Sequence, residues 1–196
     1  MNKTNKGFHI DQISTDVTLL SFMAAVSIFF NGLLLTKFDS YNLFIKIPIS
    51  YLIISTLAFL FSSLILANTG QKIIDEKFEK AEKYMLYGYV VSEYMGVYPF
   101  ILSIPLIINT VTADLYLRII ALCAALGGMA LYQFMGFSLL EDHFPKTYKI
   151  FSVLTILFGI ALFFSQVQEF YFTETSIAFI CFLLLVTYLA PRKDFQ

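Results

Sequence analysis

Six long apolar stretches, each close to the length that a helix needs to cross a lipid bilayer, dominate this chain. They cover residues 17–35, 47–67, 85–108, 115–137, 150–167 and 170–190. Because a helix rises about 1.5 Å per residue, roughly 20 apolar residues cross a hydrocarbon core of about 30 Å. The pattern therefore predicts an all-α, polytopic membrane protein built as a bundle of six transmembrane helices.

Basic residues are distributed unevenly over the connections between these stretches. Ten of the thirteen lysines and arginines lie near the N-terminus, between the second and third stretches, between the fourth and fifth, or in the C-terminal tail. The other three connections hold Lys37, Lys46 and Arg118. Since basic residues concentrate in cytoplasmic loops, we expect both termini in the cytoplasm and the chain in the plasma (inner) membrane.

The composition leaves no room for a second domain. Hydrophobic residues make up 58% of the chain and charged residues 14%. The six stretches and their short connections use nearly all of it, so residues 1–196 are predicted to form a single transmembrane domain. The net charge of −1 at pH 7 offers no basic face for nucleic acid, which makes the lipid bilayer the expected partner.

Residues 71–83 differ from the other connections because charged residues alternate there with apolar ones. Ile74 and Phe78 recur at helical spacing among lysines and glutamates. This pattern predicts a cytoplasmic helical extension that continues the third span, with its apolar edge at the membrane surface.

Glu93 is the only acid well inside any of the predicted spans. A charged carboxylate at that depth costs at least about 2.5 kcal/mol on insertion scales, so we expect a neutral, paired or water-facing group. Burial disfavours the charged form, which makes proton exchange possible. Tyr89 and Ser92 share its helical face, and Asn31 lies deep in the first span. These four residues are the candidate ion- or proton-binding residues, although the same side chains could simply hydrogen-bond between helices.

Two prolines interrupt the third span. Pro99 lacks the N–H that would bond to the carbonyl of Met95, so the third helix is expected to kink at Pro99, and Pro105 is a second hinge candidate. A freed carbonyl close to an acid resembles the broken helices with which transporters coordinate small cations.

The fourth span carries a stripe of small residues and an oppositely charged pair. Ala121, Ala124, Ala125 and Gly128 would let another helix approach closely, and a neighbour within the same chain is favoured over a second copy. Asp114 and Arg118 are spaced four residues apart at the outer end of this span and are expected to pair.

No metal or cofactor is predicted. His9, Asp11 and residues 141–143 carry groups that bind metals, but consecutive loop residues seldom converge on one ion. Cys123 and Cys181 lie inside spans without a second Cys or a His close in sequence, so they are interpreted as small buried apolar residues.

Three functions are compatible with these features. The first is a small transporter or channel for an ion or a proton-coupled solute, with Glu93 as its site. The second is a non-catalytic subunit or assembly factor of a larger membrane complex, which would have other membrane subunits or a second copy as partners. An intramembrane lipid-modifying enzyme is the least favoured, because Glu93 has only tyrosines as helpers and an enzyme needs at least two positioned groups.

Overall fold

The computed structural model describes residues 3–41, 43–134, 144 and 147–191, and the side chains of residues 11–41, 44–134, 144 and 147–191. Regular structure within these ranges is helical. The elements are α1 (Lys3–Thr36), α2 (Lys46–Ile74), α3 (Phe78–Val91), a π-helical segment (Ser92–Val97), α4 (Tyr98–Val111), α5 (Leu115–Phe134), α6 (Tyr148–Val167) and α7 (Phe172–Leu189), with short 3₁₀ helices at Phe38–Ser40 and Leu43–Ile45.

Six helical stretches of the described chain are long and apolar enough to cross a membrane. The third of them, Phe78–Val111, joins α3, the π-helical segment and α4. The all-α prediction with six spans is therefore confirmed, and the class of the protein is that of multi-pass membrane proteins. The orientation of the termini and the kink at Pro99 stay predictions.

The connection between the second and third spans differs from the single helical extension expected over residues 71–83. α2 continues to Ile74, and α3 begins at Phe78. Glu76 adopts a left-handed conformation with φ of 62°, while the Lys77 N–H donates to the Lys72 carbonyl and the Glu76 N–H to the Ile73 carbonyl. This hydrogen-bond pattern is a Schellman cap, which ends α2 and separates it from α3.

α2 and the third span form the centre of the bundle. α2 contacts α1, α3, the π-helical segment and α4, while α4 also contacts α5 and α6. Over an 18-residue apolar stretch of each span, 56% of α2 and 50% of the third span are buried, whereas only 11% of α5 is buried. The π-helical segment contacts both α2 and α7, so its side chains lie inside the protein rather than in lipid.

Candidate functional site

The π-helical segment at Ser92–Val97 changes the register of the third span. The backbone N–H of Tyr98 donates to the carbonyl of Glu93, five residues earlier, instead of to the carbonyl four residues earlier. Pro99 follows directly and has no N–H to continue the α-helical pattern. The wider turn of the π-helical segment therefore lies immediately before Pro99, where the sequence predicts an irregular helix.

This register brings two side chains together that an α-helix would hold apart. The Tyr98 hydroxyl donates to Glu93 Oε1 at 2.8 Å. On an α-helix, side chains meet at spacings of three and four residues, whereas a π-turn aligns residues five apart. Tyr98 is thus a site residue that the helical-face argument for Tyr89 and Ser92 misses.

Aromatic rings enclose the Glu93 carboxyl. Only 1% of the Glu93 surface is exposed. Tyr94 stacks on Tyr98 with ring centroids 6.0 Å apart, and Tyr132 of α5 meets Tyr98 edge-on at 6.1 Å. The space that Tyr94 and Tyr98 share with side chains of α6 and α7 has no room for a water molecule. Glu93 is therefore enclosed by protein, with phenol groups on the adjoining turns.

A second acid, Asp16, lies near the start of the first apolar helix. This helix extends over Asp11–Thr36, whereas the sequence predicts the first span over residues 17–35. Asp16 is half-buried, and the Tyr89 hydroxyl donates to its Oδ2 at 2.5 Å. The hydroxyl of Ser92 donates to the Tyr89 carbonyl at 2.9 Å. Tyr89 therefore links α1 to the turn that precedes Glu93.

The fourth predicted binding residue lies elsewhere in the core. Asn31 is buried in α1, and its Oδ1 has no hydrogen-bond partner within the described part of the chain. The Tyr98 phenol that donates to Glu93 belongs to the same span as Glu93. Pro99 occupies the first turn of α4, and Pro105 lies inside α4, where both are buried.

The small residues of α5 do not share one environment. Ala125 is buried and Ala121 half-buried, whereas Ala124 and Gly128 face outwards. Among the described residues, a Cβ at Gly128 would meet nothing within 4 Å. The described helices of this chain therefore do not approach Gly128 closely, and the packing role of the whole stripe stays a prediction. Cys123 and Cys181 are exposed on the surface of the bundle, so the prediction that they are buried is wrong.

Asp114 and Arg118 do not form the expected ion pair with each other. Asp114 Oδ1 accepts from the backbone N–H of Leu117 at 2.9 Å, which caps the first turn of α5. Arg118 Nε instead donates to the carbonyl of Thr112 at 2.6 Å.

Metal binding finds no support in the described residues, in which no group of three His, Cys, Asp or Glu side chains is placed to hold an ion. Residues 141–143 and the His9 side chain lie outside the described residues, so their part in the metal-site argument is untested.

Six apolar helices and a buried acid at a π-helical turn define this protein as a multi-pass membrane protein with a polar centre in its third span. Comparison with known proteins gave no match among family models, curated proteins or solved structures.

Proposed function

We propose that this protein is a small transporter or channel that moves an ion or a proton-coupled solute, with the Glu93 carboxyl as its proton site. The observation that carries the proposal is the placement of this acid. It is buried in the centre of the bundle, on a π-helical segment, and it is bonded to a phenol. Ionisable groups inside membrane spans are costly and usually functional, and π-bulges often occur at functional sites.

A second pair of groups supports a route for protons to Glu93. Asp16 and Tyr89 are hydrogen-bonded, and Tyr89 precedes Glu93 by one helical turn, about 6 Å along the axis. Because both residues are half-buried, they can exchange protons with the side of the membrane nearest the start of α1. With the expected topology, this side is the cytoplasm. Asp16, Tyr89, Glu93 and Tyr98 would then form a series of acid and phenol groups that leads inwards.

Proton flux in liposomes tests this proposal. The purified protein is incorporated into liposomes that contain a pH-sensitive dye, and a valinomycin-clamped potassium potential drives protons across the membrane. We expect Glu93→Gln to reduce the flux to the level of protein-free liposomes, because the amide has a similar shape but cannot release a proton. The matched control is Glu174→Gln, which changes an exposed acid in the first turn of α7 and should leave the flux unchanged.

Circular dichroism and size-exclusion profiles identical to those of the unmodified protein would show that Glu93→Gln still folds. Flux that persists in this folded variant would overturn the proton-site assignment. Equal losses in Glu93→Gln and Glu174→Gln would show a general effect of charge.

A subunit of a larger membrane complex is the second candidate, and the surface of α5 favours it. Only 11% of an 18-residue apolar stretch of α5 is buried. Because Ala124 and Gly128 are small, another helix can approach the backbone of α5 closely at these positions. A partner helix in the same membrane, from another protein or a second copy, would pack there. Purification in mild detergent tests this candidate, since a strictly monomeric protein without stoichiometric partners would contradict it.

A further inference from the structure

A polar cavity of about 170 Å³ lies at the end of the bundle opposite the start of α1. It is formed where α4 ends, α5 begins and α6 ends. It is lined by Asn109 and Thr110 of α4, Arg118 of α5, Gln166 of α6 and Glu169, with Phe44 and Val167 as apolar neighbours. The cavity is partly open to the outside, so a small solute can enter it.

The inner wall of the cavity is held rigidly by Gln166. Its amide nitrogen donates to the Leu106 carbonyl at 3.0 Å and to the Thr110 hydroxyl at 2.9 Å. Its amide oxygen accepts from Asn109 Nδ2 at 3.0 Å. These bonds use both donors of the Gln166 amide and one of the two donors of Asn109, and they orient the Asn109 amide.

This arrangement leaves one buried acceptor without a donor. Asn109 is 7% exposed, and its Oδ1 has no hydrogen-bond partner among the residues that the structure describes. This oxygen is enclosed by protein atoms, so it belongs to the wall of the cavity and is not a contact for a bound molecule.

Two opposite charges line the same cavity without being paired to each other. The hydrogen bond from Arg118 Nε to the Thr112 carbonyl orients the guanidinium and leaves its two terminal nitrogens without a carboxylate in the described ranges. Glu169 adopts a left-handed conformation with φ of 54° at the end of α6, in a turn where the Phe170 N–H donates to the Ser165 carbonyl. Glu169 and Arg118 both line the cavity, so two residues of opposite charge border one space.

We propose that this cavity binds a small zwitterion with one carboxylate and one ammonium group, of the size of free glycine or alanine. The guanidinium of Arg118 binds the carboxylate, and the carboxylate of Glu169 binds the ammonium. The size is suitable, because a cavity of about 150 Å³ is known to accept a molecule as large as benzene.

The site is separate from the Glu93 cluster. Asn109 follows Glu93 by sixteen residues, which corresponds to about 24 Å along a helix. Binding at the cavity therefore does not depend on the proposed proton site, and either assignment can fail without the other.

Isothermal titration calorimetry of the full-length protein in detergent tests the inference with three probes: free glycine, acetate and methylammonium. We expect glycine to bind at least about tenfold more tightly than either probe of single charge, because only glycine engages both ends of the cavity. Arg118→Gln should abolish the binding of glycine and acetate. Glu169→Gln should weaken glycine and methylammonium at least about tenfold and leave acetate unchanged.

Lys37→Gln is the matched control, because it removes an exposed positive charge that is not part of the cavity and should change none of the three affinities. Absence of saturable heat with millimolar glycine would overturn the site. Acetate that binds as tightly as glycine would overturn the zwitterion assignment. If Arg118→Gln and Lys37→Gln changed the affinity for glycine equally, the zwitterion assignment would also be overturned. Glu169 is exposed, so Glu169→Gln retains the fold and keeps the test decisive even if Arg118→Gln does not fold.

Discussion

The hydrogen bond between Tyr98 and Glu93 explains how one buried acid can be compatible with both folding and proton exchange. The phenol donates to Oε1, and a carboxyl oxygen can accept a hydrogen bond whether or not the other oxygen carries a proton. The contact therefore persists in both protonation states.

Tyr98→Phe should lower the free energy of unfolding by roughly 1–3 kcal/mol, because it removes a donor from a buried carboxyl without changing the ring packing. Equilibrium unfolding in mixed detergent micelles measures this change. Tyr116→Phe is the control, because Tyr116 is 72% exposed on α5. This variant should have the same free energy of unfolding as the unmodified protein. Equal stability of Tyr98→Phe and the unmodified protein would show that the Glu93–Tyr98 bond adds nothing to the fold.

Within the third span, the sequence indicated where the helix is irregular but not which kind of irregularity it forms. A proline removes one N–H, and this loss is compatible with a kink or with a π-turn. If the span is treated as an α-helix with 3.6 residues per turn, Glu93 shares a face with Tyr89 but not with Tyr98. The combination of an acid, a tyrosine five residues later and an adjacent proline is the signal that could have identified the pair.

Packing against α2 constrains the π-helical segment. A Cβ placed on Gly96 would lie 2.5 Å from the nearest ring atom of Phe59, which is fully buried and cannot move aside. Only a glycine allows this close approach of the two central helices. The register next to Glu93 is thus supported by a tertiary contact that local sequence patterns do not reveal.

Gly96→Ala should therefore destabilise the protein by about 1–3 kcal/mol, as overpacking of a core does. Gly32→Ala is the matched control, because a Cβ at Gly32 meets no atom of the described chain within 4 Å and alanine favours the helix. Thermal unfolding in detergent should separate the two variants clearly. If Gly96→Ala were as stable as Gly32→Ala, the close approach of Phe59 would not restrict the segment.

For the whole molecule, hydropathy was sufficient to predict the six spans but not their mutual contacts. Lipid is as apolar as the faces that pack together, so hydrophobicity alone does not tell an inward face from an outward one. Ala125 and Ala124 are adjacent small residues of α5, yet the first is buried and the second is exposed.

The sidedness of the bundle rests on the distribution of lysines and can be tested by labelling. Lys80→Cys and Lys37→Cys place thiols at exposed positions on opposite sides of the predicted bilayer, in a chain whose Cys123 and Cys181 are replaced by alanine. Because lysine-rich loops stay in the cytoplasm, a membrane-impermeant maleimide added to intact cells should label the Lys37→Cys chain alone. In inside-out vesicles the Lys80→Cys chain should react and the Lys37→Cys chain should not.

The Asp16–Tyr89 pair would then face the cytoplasm, and the Arg118 cavity would face the outside. Labelling of both thiols from one side would contradict the directions assigned to both sites.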